Sequence, residues 1–132
     1  MNTPHLVLLG DSIFDNARYV PEGPSVIEQV RKLLEPGWRI TLVAHDGDVV
    51  ADLVRQIALI PADATHLAVS VGGNDALSSL SVMSAPAQSV IDALGHLAEM
   101  RSSFQHAYRT MLGQLLQLRL KTAVCTIYDA VP

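Results

Sequence analysis

Covalent cross-links cannot hold this chain together. Cysteine occurs once in 132 residues, as Cys125, and a bridge within the chain needs two. Charge is also sparse: 17% of residues are charged and 49% hydrophobic, which excludes a disordered, solvated chain. Nine Lys and Arg stand against thirteen Asp and Glu, a net charge of -4. No stretch concentrates the basic residues, so a phosphate-tracking nucleic-acid surface is excluded. One Trp, three Tyr and two Phe leave few rings on which a sugar or aromatic substrate could stack. No apolar run approaches the ~20 residues of a membrane span. Met1 to His5 carries no Lys or Arg, and Leu6 to Leu9 is too short for the core of an export signal, so the expected compartment is the cytoplasm, with no membrane partner.

What the chain does have is a series of short apolar runs separated by helical stretches. His5 to Leu9, Arg39 to Ala44, His66 to Val71 and Thr122 to Tyr128 are rich in Val, Leu and Ile. Their apolarity is continuous rather than alternating, which predicts strands covered on both faces, as in a parallel sheet. Cys125 falls in the fourth run and is expected to be a small buried hydrophobe. Pro24 to Leu34 reads as a helix stopped by Glu35-Pro36-Gly37. Val49 to Leu59 reads as another, with Val50, Leu53, Val54 and Ile57 on one side. A long helical region from about Pro86 to Leu120 carries an apolar stripe from Val90 to Leu118, interrupted at Arg101-Ser102-Ser103. One kinked helix and two successive helices both fit it. Ser78 to Pro86 reads as a surface loop. The fold class is therefore α/β: one domain over residues 1–132, a three-layer α/β/α sandwich on a parallel, flavodoxin-like sheet.

In such sheets a ligand sits at the carboxyl ends of the strands. The polar residues gather there: Asp11-Ser12 after the first run, Asp46-Gly47-Asp48 after the second, Gly73-Asn74-Asp75 after the third. Taken singly, Ser12 would serve as a helix cap, Gly47 as a turn residue, and Asn74 as a side chain bonding its own backbone. Together, at three strand exits, they suit acyl transfer. A serine on a tight strand-to-helix turn offers a hydroxyl nucleophile and a backbone N–H on the same side. A glycine lets a second N–H approach closely, and a carboxamide supplies a third donor for a developing oxyanion. Asp11 and Asp75 are expected to orient their turns, and Asp15 and Asn16 to line the cleft mouth.

Leu8-Leu9-Gly10-Asp11-Ser12-Ile13, Gly47 and Val71-Gly72-Gly73-Asn74-Asp75 resemble the first three sequence blocks of the GDSL, or SGNH, hydrolases. Ile13 replaces the signature leucine and keeps an apolar anchor. Cys125 to Asp129 resembles the family's fourth strand. The resemblance implies a serine ester hydrolase acting on a small-molecule ester, with Ser12 as nucleophile and Ser12, Gly47 and Asn74 as oxyanion donors, and with no metal or other cofactor. It also implies an Asp-x-x-His after a fifth strand, which these 132 residues do not contain. A literal Asp63-Ala-Thr-His66 precedes the third strand, at the wrong end of the sheet, as does His5 for the first strand. His96 and His106 lie in the long helical region, and His45 alone is expected near the right rim. The chain is accordingly expected to be a fragment, impaired in turnover without that segment and prone to self-association through an open sheet edge. A non-catalytic flavodoxin-like binding module is the alternative, and the acyl and alcohol groups are left open.

Overall fold

The structure is a computed structural model that describes residues 3–128. Four strands, β1 (His5–Gly10), β2 (Arg39–Leu42), β3 (His66–Ser70) and β4 (Lys121–Val124), form one sheet in the order β2-β1-β3-β4. All three pairings are parallel. The helices are α1 (Val26–Leu33), α2 (Leu53–Ala58), α3 (Gly73–Ser78), α4 (Leu80–Met83) and α5 (Val90–Gln117). The expected α/β architecture with a parallel sheet is the observed one.

The two central strands carry the core. Val7 and Leu9 of β1, with Leu67, Val69 and Val71 at β3, point to one face, where Val50, Leu53, Met111 and Leu115 cover them. That face is roofed by α2 and α5. The opposite face meets α1 and the segment after it. There Leu34 and Trp38 border a groove over Leu6, Ala68 and Ala123, and the Trp38 ring leans on that of His66. Removing a fully buried leucine side chain such as Leu9 or Leu67 would cost about 2–5 kcal/mol.

Three details depart from the sequence reading. Ser78 to Pro86 is not simply a loop, because α3 and α4 run into it. The hydroxyls of Ser78 and Ser79 donate to the Asp75 carbonyl, and that of Ser81 to the Ser78 carbonyl. These serines bond back to the preceding turn instead of competing with the helix. The fourth strand ends at Val124, so Cys125 lies beyond it and is exposed rather than buried. Its N–H still donates to the Val69 carbonyl. The sequence reading carries that strand on to Tyr128, four residues too far. Ile13, expected as an apolar anchor, is exposed.

The long helical region is a single helix. At 28 residues α5 is about 42 Å long, twice the roughly 20 Å of β1. It enters β4 at the base of the sheet, so its first half projects past the carboxyl ends of the strands. Met111 and Leu115, in its second half, are buried, whereas Val90 and Leu94, from the start of the same stripe, face solvent.

At the amino end of the sheet His5 is buried. Its Nδ1 lies 3.1 Å from Asp63 Oδ1 and its Nε2 2.8 Å from the Thr41 hydroxyl. Arg39 pairs with the same Asp63 carboxylate. Burial, helped by the Arg39 charge, holds the His5 pKa below its ordinary value. The unfolded chain therefore takes up a proton that the folded chain refuses, so stability falls as pH drops below about 6.5. Urea midpoints measured from about pH 5 to pH 8 should rise with pH through that window, and His5→Gln should flatten the rise. An unchanged slope in the variant would contradict this assignment.

Candidate active site at the carboxyl ends of the strands

Three loops leave the neighbouring strands β2, β1 and β3, and hydrogen bonds tie them to one another. β1 ends at Gly10, whose φ of +129° suits only glycine. The Asp11 N–H donates to the Ser70 carbonyl at the end of β3 (3.0 Å), and the His45 N–H beyond β2 donates to the Gly10 carbonyl (3.0 Å). The Asp46 N–H donates to Asp15 Oδ2 (2.8 Å). Asn74 Nδ2 donates to the Asp48 carbonyl (3.0 Å), and the Val50 N–H to Asp75 Oδ2 (3.0 Å). Ser12 and Gly47 on their loops and Asn74 in the first turn of α3 thus belong to three segments that brace one another.

The acids divide the work differently from the expectation. Asp11 does hold its own turn, because its Oδ1 accepts the Ile13 N–H (3.0 Å) and its carbonyl accepts those of Phe14 and Asp15. Asp75 instead reaches across to the loop after β2. Asp15 does the same, and the Asn16 carboxamide oxygen accepts the Val26 N–H at the start of α1. Burial raises the pKa of both Asp11 and Asp75, against the lowering effect of the N–H groups they accept. On the outer rim Asp46 receives Arg18 (3.1 Å) and the Tyr19 hydroxyl (3.0 Å). The bond to that carboxylate is the main reason the Tyr19 pKa is raised.

One residue at the site was missed in the sequence. Gln56 on α2 is 2% exposed. Its Oε1 accepts the Gly10 N–H (2.8 Å), while its Nε2 donates to the Gly10 carbonyl (2.7 Å) and to Asp48 Oδ2 (2.8 Å). The carboxamide acts as a further backbone partner for the end of β1 and fixes the loop after β2 to it. Val54, expected on the buried side of α2, is exposed instead. The only available signal was a polar side chain three residues after Leu53.

The groups that remain unbonded are the ones of chemical interest. Gly47 has φ +88° and an exposed backbone. Among the described residues, the N–H groups of Ser12 and Gly47 and the Ser12 hydroxyl make no hydrogen bond. Asn74 spends one amide hydrogen on Asp48 and keeps the other.

No histidine among the described residues bonds Ser12. His45 is exposed, with Nδ1 3.4 Å from Asp48 Oδ1. His66 contacts the Thr65 hydroxyl (2.8 Å), while Asp63 serves His5 and Arg39. The literal Asp63-x-x-His66 is therefore neither a pair nor at the site. His96 approaches Asp92 (3.5 Å) on the projecting half of α5. Among the described residues no group of three or more His, Cys, Asp or Glu side chains is placed to hold a metal ion, and no helix is long and apolar enough to cross a membrane.

No protein-family model matches the chain, and no curated protein does. Among solved structures it is similar to the extracellular lipase of Streptomyces rimosus, with TM-score 0.56 and 18% identity over 92% of this chain and 58% of that one. A match to TesA has TM-score 0.47 and 18% identity over 91% of this chain and 58% of that one. The chain thus spans less than two thirds of the length of either structure. The likeness to the lipase is one of fold.

Proposed function

We propose that this fold carries the nucleophile and oxyanion donors of a serine ester hydrolase of the SGNH type, acting on small carboxylic esters. The observation that supports this reading most directly is the set of donors left unbonded on three braced segments: the Ser12 and Gly47 N–H groups and one hydrogen of the Asn74 amide. In this reading Ser12 Oγ attacks the ester carbonyl carbon, and the three donors receive the negative charge that develops on its oxygen. The alcohol leaves, and water then releases the acyl group from Ser12. A base must take the Ser12 proton as Oγ attacks and return it to the departing alcohol, and must then do the same for the water that releases the acyl group.

The proton of Ser12 needs a base, and no histidine among the described residues is bonded to it. Phosphonylation of chain 1–132 by a fluorophosphonate should therefore be slow and should accelerate with added imidazole. Mass spectrometry should place the label on Ser12, and Ser12→Ala should take none. Asn74→Ala should slow the imidazole-assisted reaction on the order of a hundredfold, the usual effect of losing one oxyanion donor. Equal labelling of Ser12→Ala, or a label elsewhere in the wild-type chain, would eliminate the reading.

A further inference from the structure

A cavity of about 250 Å³ opens between α3 and the middle of α5, bordered by Gly72 and Asp75 on either side of Asn74 in the chain. Its lining is largely apolar: Gly72, Ala76, Met100, Phe104 and Ile127. Two charged residues also border it. Asp75 has one carboxylate oxygen committed to the Val50 N–H. Arg101 is exposed at the cavity, and among the described residues no acidic side chain lies within ion-pair distance of it. Arg101 is the residue that breaks the apolar stripe of α5 in the sequence. The other exposed arginines on the site side are engaged, Arg18 by Asp46 and Arg55 by Asp48 and Asp52.

An apolar hole of about 150 Å³ is enough for benzene, so this one has room for a chain of roughly six to ten carbons. An arginine keeps its stem along such a surface and its guanidinium toward water, where a planar carboxylate fits it in a fork. We infer that the cavity receives an apolar chain of that length ending in a carboxylate, which Arg101 binds. Resting on the ester-hydrolase reading, this makes the preferred substrate one whose chain in this cavity carries an anionic end, with Arg101 as the residue that selects it.

The test is binding, independent of turnover. Chain 1–132, carrying isotope-labelled Met and Ile methyl groups, is titrated by NMR with octanoate and, separately, with octanol. Both should move the Met100 and Ile127 methyl signals. Octanoate should bind about five- to tenfold more tightly at low salt, and the preference should shrink near 1 M salt, where the screening length is about 3 Å. Arg101→Gln should abolish the preference while octanol still binds, and Ala76→Phe should fill the cavity and weaken both ligands. Equal affinities in the wild-type chain, or a preference that survives Arg101→Gln, would overturn the inference. Failure of the hydrolase reading shows separately, as absence of phosphonylation at Ser12 while the octanoate preference persists.

Discussion

Gly10→Ala is expected to remove on the order of 4 kcal/mol of stability, or to prevent the chain from accumulating as a folded species. Two effects add. The φ of +129° lies where a side chain strains the backbone by about 1–3 kcal/mol. A β-carbon at Gly10 would also be driven into the Ser70 carbonyl, far inside the 3.0 Å that real contacts keep. That obstacle is main chain in a central strand, so it cannot swing aside. It also accepts the Asp11 N–H, and pushing it away breaks this bond at a buried position, at a further cost of about 1–3 kcal/mol. Folded proteins hold only about 5–15 kcal/mol in reserve. Urea unfolding of the variant is the measurement. Gly23→Ala is the control, because an added carbon there meets nothing within 4 Å. If the two variants unfold at the same denaturant concentration, the close approach of β1 and β3 is not what demands glycine.

Gln56→Leu should cost about 3–5 kcal/mol despite keeping the volume and apolar character of a core residue. The Gly10 N–H and Asp48 Oδ2 lose the partners Gln56 gave them, while the Gly10 carbonyl retains the His45 N–H. Each buried polar group left alone costs about 1–3 kcal/mol, and more when charged. Gln56→Glu separates this explanation from simple packing. The new carboxylate still accepts the Gly10 N–H but faces Asp48 Oδ2 and the Gly10 carbonyl where an amide had donated. Burial and the neighbouring acid raise its pKa in the folded state. The folded chain then holds a proton that the unfolded chain has released, so the variant loses stability as pH rises above about 4.3 and recovers it in acid. A Gln56→Glu chain whose deficit relative to wild type is the same at about pH 4.5 and pH 7.5 would refute the network as described.

Gln56 also shows why part of this site could not be read in advance. The strands were legible because buried parallel strands must be apolar on both sides, a pattern visible in Leu6 to Leu9 and Leu67 to Val71. The placement of Ser12, Gly47 and Asn74 beyond the carboxyl ends of β1, β2 and β3 was legible because it follows from where those apolar runs stop. The inward side of α2 was not. The segment begins with a tighter 3-10 turn at Val50–Asp52 before Leu53–Ala58 becomes α-helical. A turn of three residues advances each side chain farther around the axis than one of 3.6, so the helical period that set Val54 inward was out of phase. Val54 faces solvent and Gln56 faces Gly10. The serines of α3 and α4 misled for a related reason. Their composition matches a loop, and only the contact of their hydroxyls with carbonyls one turn back makes them helical. Cys125 was read as buried from its neighbours Val124 and Thr126, but the edge position of β4 leaves this stretch facing outward.

The overhang of α5 divides that helix into two regimes of tolerance. Substitutions at Met111 and Leu115 disturb the side chains that roof the sheet and destabilise the fold itself. Substitutions at the exposed positions of the first half, such as Val90, Ile91 and Leu94, leave the foundations untouched, since solvent-facing changes of this kind usually shift stability by less than about 0.5 kcal/mol. Under the proposed ester-hydrolase reading, a lineage could therefore redraw its preferences along that projecting arm while Ser12, Gly47 and Asn74, beyond the strand ends, stayed where they are.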